Sequence, residues 1–152
     1  MTKTHICFTN KKRIEINKIQ MGKVAQTHQH FIELKGRPYD KNSQDVKLVV
    51  GTPLIARVNN KALDIFNNET FTISYICKPR RIMKVEDDEQ TIDIPFEDMT
   101  KLFNVAYCIT THKSQGTTID KPYTIHEFSK MDKRLKYVSL SRARDIALIN
   151  II

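Results

Sequence analysis

Ala106-Tyr107-Cys108-Ile109-Thr110-Thr111-His112-Lys113-Ser114-Gln115-Gly116-Thr117-Thr118 carries an apolar strand straight into a polar, glycine-containing turn. Residues 104–110 (NVAYCIT) predict a buried central strand, because a parallel sheet covered on both faces needs a near-continuous apolar run. Residues 111–118 (THKSQGTT) predict a turn with helix potential. Ligands of parallel sheets bind at the carboxyl ends of the strands. Backbone N–H groups opening a following helix favour phosphate there. Thr110, Thr111 and Ser114 add hydroxyls, His112 and Lys113 add polar or cationic reach, and Gly116 permits close backbone approach. An ordinary capped helix after a strand fits the same residues equally well.

Downstream, residues 123–126 predict a strand, 134–143 (RLKYVSLSRA) a helix and 145–152 (DIALINII) a final strand. Tyr137, Leu140 and Ala143 share one side of that helix and Arg142 points another way. A positioned guanidinium suits charge developing on a transferring phosphoryl group. A solvated surface arginine is the plainer alternative. Upstream, residues 4–9 (THICFT) predict a buried strand. Asn10 suits the N-cap of a helix carrying Ile14, Ile16, Ile19, Met21 and Val24. Residues 36–45 read as a loop.

The middle changes character. Residues 46–50, 54–58, 71–77, 81–85 and 91–94 predict short strands separated by turn residues. They form a small antiparallel insert over 45–95, after which 96–102 (FEDMTKL) predicts a short helix. The expected organisation is one parallel-sheet α/β domain, residues 1–44 and 96–152, interrupted by the insert.

Composition bounds the function. The 152 residues hold 25 Lys plus Arg against 17 Asp plus Glu, a formal charge of +8. Such an excess favours polyanionic partners but does not by itself identify one. No apolar run approaches the roughly 18 residues a membrane-spanning helix needs, so no membrane partner is expected. Nor is the first segment a secretory signal. Cys7, Cys77 and Cys108 are widely spaced and form no C-x-x-C, which predicts free thiols in a reducing, intracellular compartment: nucleus, cytoplasm or viral factory. His28, His30 and His126 have no metal-ligand partners at usable spacing and are expected to be exposed.

THKSQGTT followed by YVSLSRAR resembles motifs V and VI of superfamily 1 helicases, closest to the RecD/Dda-like class. Ser139 stands where that class usually has Ala. Ile6 to Arg13, with Asn17, resembles motif IV. Gly51-Thr52-Pro53-Leu54-Ile55-Ala56-Arg57-Val58-Asn59-Asn60 with Asn67-Asn68-Glu69 is similar to a further segment of the class, except that Asn68 replaces its usual Gly.

The resemblance implies a second RecA-like lobe, of P-loop NTPase type, whose parallel sheet is flanked by helices and carries a small β-barrel-like insert. It implies ATP and Mg2+ held mainly by an N-terminal RecA-like lobe of the same polypeptide, and single-stranded DNA lying across both lobes. RNA is the alternative strand, and 5′-to-3′ movement is implied by class alone. Arg142 would be the arginine finger. Gln115 and Gly116 would line the ATP cleft, with Asn10 and Arg13 on its nucleotide side. Thr110, Thr111, His112 and Lys113 would lie along the nucleic acid. The chain has no G-x-x-x-x-G-K-[ST] phosphate loop, and Asp87-Asp88-Glu89-Gln90 reads as a solvated turn rather than a magnesium motif. Alone it is expected not to hydrolyse ATP efficiently. A non-catalytic nucleic-acid-binding module is the competing class, disfavoured by the presence of Gln115, Gly116 and Arg142.

Overall fold

The computed structural model describes residues 4–152. It divides into two compact units, residues 1–17 with 107–152 and residues 18–106. Phe103–Val105 pairs with Leu54–Ala56 in the antiparallel sheet, so this strand and the helix before it belong with the second unit.

The first unit is built on four parallel strands, β1 (Thr4–Cys7), β9 (Cys108–Thr110), β10 (Tyr123–Ile125) and β11 (Ile149–Ile151), in the order β11-β10-β1-β9. His5 pairs with both Thr124 and Cys108, which fixes β1 between its neighbours. Ile6, Tyr123, Ile125, Met131 and Leu135 form the core on one face. Cys7, Cys108 and Ile16 form a smaller cluster. Burial alternates between faces rather than between core and water, as a covered parallel sheet requires.

Helix α1 (Asn10–Thr27) begins one residue later than its cap. The capping residue is Thr9, not Asn10: its carbonyl accepts the first helical bond from Arg13 N at 3.1 Å, and its Oγ1 accepts from Lys12 N at 3.2 Å. Seven residues further on, the buried side chain of Asn17 meets the backbone of Cys108 twice. Its Nδ2 donates to Cys108 O at 3.0 Å and its Oδ1 accepts from Cys108 N at 2.8 Å. Because β9 is the end strand of the sheet, the amide of Asn17 stands in for a missing neighbouring strand.

Three expectations change. The single strand read over 104–110 is two, β8 (Phe103–Val105) and β9, in different sheets. Val105 pairs antiparallel with Leu54, Cys108 pairs parallel with His5, and the chain changes sheet across Ala106 and Tyr107. Residues 111–116 form hydrogen-bonded turns and no helix. Ser114 Oγ donates to Thr111 O at 2.7 Å and Thr117 Oγ1 to Ser114 O at 2.6 Å, taking carbonyls a helix would need, and Gly116 adopts φ +82°. The final strand is short: Asp145 caps a single 3-10 turn, Ile146–Leu148, before β11.

In the second unit, β4 (Pro53–Ala56), β5 (Thr70–Cys77), β6 (Ile82–Glu86) and β7 (Thr91–Pro95) join β8 in an antiparallel sheet of order β7-β6-β5-β4-β8. Helix α2 (Phe96–Leu102) follows β7, and β2 (Ile32–Leu34) pairs with β3 (Val46–Leu48). Phe71 and Phe103 pack edge to face. Asn68 has φ +75°, a left-handed conformation that asparagine tolerates better than most residues, which explains why it can occupy the usual glycine position.

Candidate functional site

The sheet of the first unit has a point where its connections diverge. β1 leads on to β9 on one side, and β10 to β11 on the other. In open α/β sheets the crevice at such a point, beyond the carboxyl ends of the strands, is where ligands bind. Phe8, Thr9 and Asn10 leave β1 here, and His126 and Glu127 leave β10.

Glu127 ties the two exits together. Its Oε1 accepts from Phe8 N at 3.1 Å and Thr9 N at 3.0 Å, and Thr9 Oγ1 donates to the same carboxylate at 3.1 Å. The residue sits at φ +58°. Burial pushes its carboxyl pKa up, but the bonds from Thr9 and Phe8 outweigh that and hold it below the ordinary glutamate value. Nothing in the sequence flags a lone Glu in this role. Beside it His126, expected to be exposed, is half-buried with its Nε2 3.0 Å from Nδ1 of buried His5. Burial lowers the His126 pKa, helped by Lys12. Among the described residues no three His, Cys, Asp or Glu side chains come together to hold a metal.

The turn after β9 and the end of α3 (Lys133–Ser141) form one assembly. Thr111 N donates to Cys7 O at 2.9 Å, which docks the turn on β1. The Thr111 hydroxyl lies 2.9 Å from Ser139 Oγ on α3. Ser139 Oγ also reaches Met131 Sδ at 3.3 Å, and Tyr123 OH donates to Ser139 O at 2.6 Å. Burial raises the Tyr123 pKa, so the phenol stays a donor.

Arg142 caps α3 and is fastened at both backbone and side chain. Ile119 N donates to Arg142 O at 2.6 Å, and Arg144 N to Ile119 O at 3.0 Å. Its Nη1 donates to Thr117 O at 3.1 Å and Ser114 O at 3.4 Å, while Nε donates to Val138 O at 3.1 Å. Nη2 bonds the Ser141 hydroxyl at 3.1 Å. The guanidinium thus spans the residues that flank Gln115 and Gly116, both exposed. Its partners are carbonyls and a hydroxyl, and no carboxylate offsets its charge among the described residues. Tyr137 is 72% exposed, Leu140 packs in part against the core, and Leu135 and Ser139 are the buried residues of the helix.

The remaining sequence candidates separate by burial. His112 is exposed and Lys113 half-buried. Thr110 is nearly buried and accepts from Lys113 N at 3.4 Å. Thr111 is fully buried, so its hydroxyl serves the fold rather than a backbone lying outside it. Asn10 is exposed and its Oδ1 accepts from Nε of buried Arg13 at 3.0 Å, so that pair forms a second group at the carboxyl edge.

No family model and no curated protein matches the sequence. Solved structures do. The chain superimposes on Bacteroides Pif1 bound to single-stranded DNA with a TM-score of 0.73 at 22% identity, covering 97% of this chain and 40% of that one. The fold is that of a Pif1 helicase lobe. Bacteroides Pif1 in complex with ADP-AlF3 and single-stranded DNA matches with a TM-score of 0.71 at 21% identity, covering 97% and 39%. Candida albicans Pif1 matches at 0.68 and 14%, covering 98% and 44%. The chain therefore spans about two fifths of the Pif1 chains it matches. The four-stranded parallel sheet and the five-stranded antiparallel sheet belong to this Pif1-like fold. No helix of the described residues is long and apolar enough to cross a membrane.

Proposed function

We propose that the chain is the second motor lobe of an ATP-dependent helicase acting on single-stranded DNA, with Arg142 as its arginine finger. The observation that carries this is the hold of the Arg142 guanidinium on the carbonyls of Ser114 and Thr117. One fastened unit thereby presents an uncompensated cation together with the exposed Gln115–Gly116 turn.

Of the five guanidinium N–H groups, four are taken up by Val138, Ser114, Thr117 and Ser141, which leaves one Nη2 donor for an incoming oxygen. Against ATP held by a first lobe, that donor and the full positive charge stabilise the charge spread over the γ-phosphoryl oxygens in transfer. Mg2+ supplies further neutralising charge on the phosphates when bound, and its carboxylate ligands belong to the first lobe. Gln115 and Gly116 line the cleft opposite, and Asn10 with Arg13 its nucleotide side. Hydrolysis removes the γ-phosphate, the Arg142 contact lapses and the lobes part. His112 and Lys113 contact the strand backbone, with Thr110 and Thr111 setting the shape of the turn behind them.

Arg142→Ala in the polypeptide carrying both lobes tests the reading. ATP turnover is expected to fall about a thousand-fold or more, while strand binding stays close to wild type. Turnover that survives the substitution removes Arg142 from the role. Unwinding assays on DNA and RNA duplexes with opposite overhangs decide the strand and the polarity.

A further inference from the structure

We infer that the β5–β6 hairpin of the insert, residues 75–84, is a second contact surface for single-stranded nucleic acid, with Tyr75 as a stacking platform and Lys78 and Arg80 as phosphate contacts. This rests on the nucleic-acid reading above and extends it to residues that reading does not use.

The argument begins with a fault in the strand. Along β5, Phe71 and Ile73 point inward, and strict alternation would send Tyr75 inward after them. The register slips between Ile73 and Tyr75. Ile73 stays opposite buried Val85, Ser74 becomes the extra residue, and Tyr75 comes to lie opposite Lys84 on the other face, 51% exposed. Ile76 then takes the inward position opposite buried Met83. A β-bulge of this kind re-aims a side chain. Here it turns out a large aromatic ring whose burial would otherwise have stabilised the sheet.

The turn closing the hairpin has a second irregularity. Arg81 N donates to Lys78 O at 3.2 Å, and Arg81 holds φ +53°. Glycine fits that left-handed position without strain, whereas arginine, which carries a Cβ, adopts it at a cost. The chain places arginine there, in the run Lys78-Pro79-Arg80-Arg81. Arg81 rests over the Phe96 ring at 5.3 Å, and Lys84 approaches Asp93 at 3.9 Å. Lys78 and Arg80 are exposed and form no ion pair among the described residues. No acidic residue occurs between Tyr75 and Val85. An outward ring flanked by unneutralised cations matches what an unpaired strand offers, a base face and phosphates on either side. A duplex hides its base faces, and an acidic protein surface gives no reason to expose the ring.

The test is fluorescence anisotropy of a labelled oligothymidylate with the 152-residue chain over a range of salt, with melting temperature as the folding control. Tyr75→Ala is expected to weaken binding roughly ten-fold or more, and Tyr75→Phe to restore it, since stacking needs the ring and not the hydroxyl. Lys78→Ala/Arg80→Ala is expected to make the dependence of log K on log salt shallower by about 1.4, two single-strand phosphates lost. Wild-type binding that all three variants share unchanged overturns the hairpin contact alone. Losses seen only with a duplex of the same length overturn it as well. A wild-type chain that binds no oligothymidylate overturns it together with the reading on which it rests.

Discussion

The hydroxyls of Thr111 and Ser139 lie 2.9 Å apart inside the first unit, both fully buried, and join the turn after β9 to helix α3. The class this chain resembles usually has alanine at the serine position, so the bond is a feature of this chain's own sequence. It holds in one frame the two segments that carry Gln115, Gly116 and Arg142. Ser139→Ala is expected to cost about 1 kcal/mol in urea unfolding, since Thr111 keeps Cys7 O as a second acceptor at 3.3 Å. Combined with Thr111→Val, the two losses should fall short of their sum by at least about 0.5 kcal/mol. Strict additivity would show that the hydroxyls do not depend on each other.

Asn17 should be far less tolerant. Replacing it with Ala leaves the buried N–H and C=O of Cys108 both without their partner. At about 1–3 kcal/mol for each stranded group, a loss of roughly 2–6 kcal/mol is expected. Asn17→Asp keeps an acceptor for the N–H but offers no donor to the carbonyl, and should recover little of it. A near-neutral Asn17→Ala would mean that the end strand is satisfied from elsewhere.

Glu127 predicts an acid-side dependence. Its pKa is lower folded than its ordinary value, so the stability it supplies is present above that ordinary value and drains away as pH falls through the folded one. Thermal melts taken downward from pH 7 should steepen in the acid range for wild type more than for Glu127→Gln. Asp40, lowered by its hydrogen bond to Arg57, and Asp45, lowered by the N–H of Gly36, add acid sensitivity to both proteins and cancel in the difference. Parallel curves would remove Glu127 from the account.

At Gly116 the cost of a side chain is conformational alone. A Cβ there would meet nothing within 4 Å, but φ is +82°. Gly116→Ala should therefore destabilise by about 1–2 kcal/mol, and Gly116→Asn by less, because asparagine enters the left-handed region more readily. Equal losses in chemical unfolding would point to a steric cause instead.

Apolar spacing alone specifies the periodic elements: β1, α1, α2, β10 and the strands of the insert. What periodicity missed was decided by single hydrogen bonds or by pairing at a distance. The run 104–110 looks continuous because nothing local distinguishes Val105, paired with Leu54, from Cys108, paired with His5. The turn at 111–116 has helical letters but spends its carbonyls on its own hydroxyls. Motif spacing singled out Arg142 and the Gln115–Gly116 turn, and they lie together. Glu127 and Asn17 act through partners more than ninety residues away, which no window on the sequence reaches.

That separation also bears on how the chain reaches its native state. Every rung of β1 joins residues about a hundred or more positions apart, and the Asn17 amide closes the end strand across 91. The insert's hairpins, by contrast, link near neighbours along the chain. Loop-closure entropy makes the distant rungs slow to nucleate, whereas local pairings form early. On this ground the insert's hairpins are expected to pair ahead of the parallel strands.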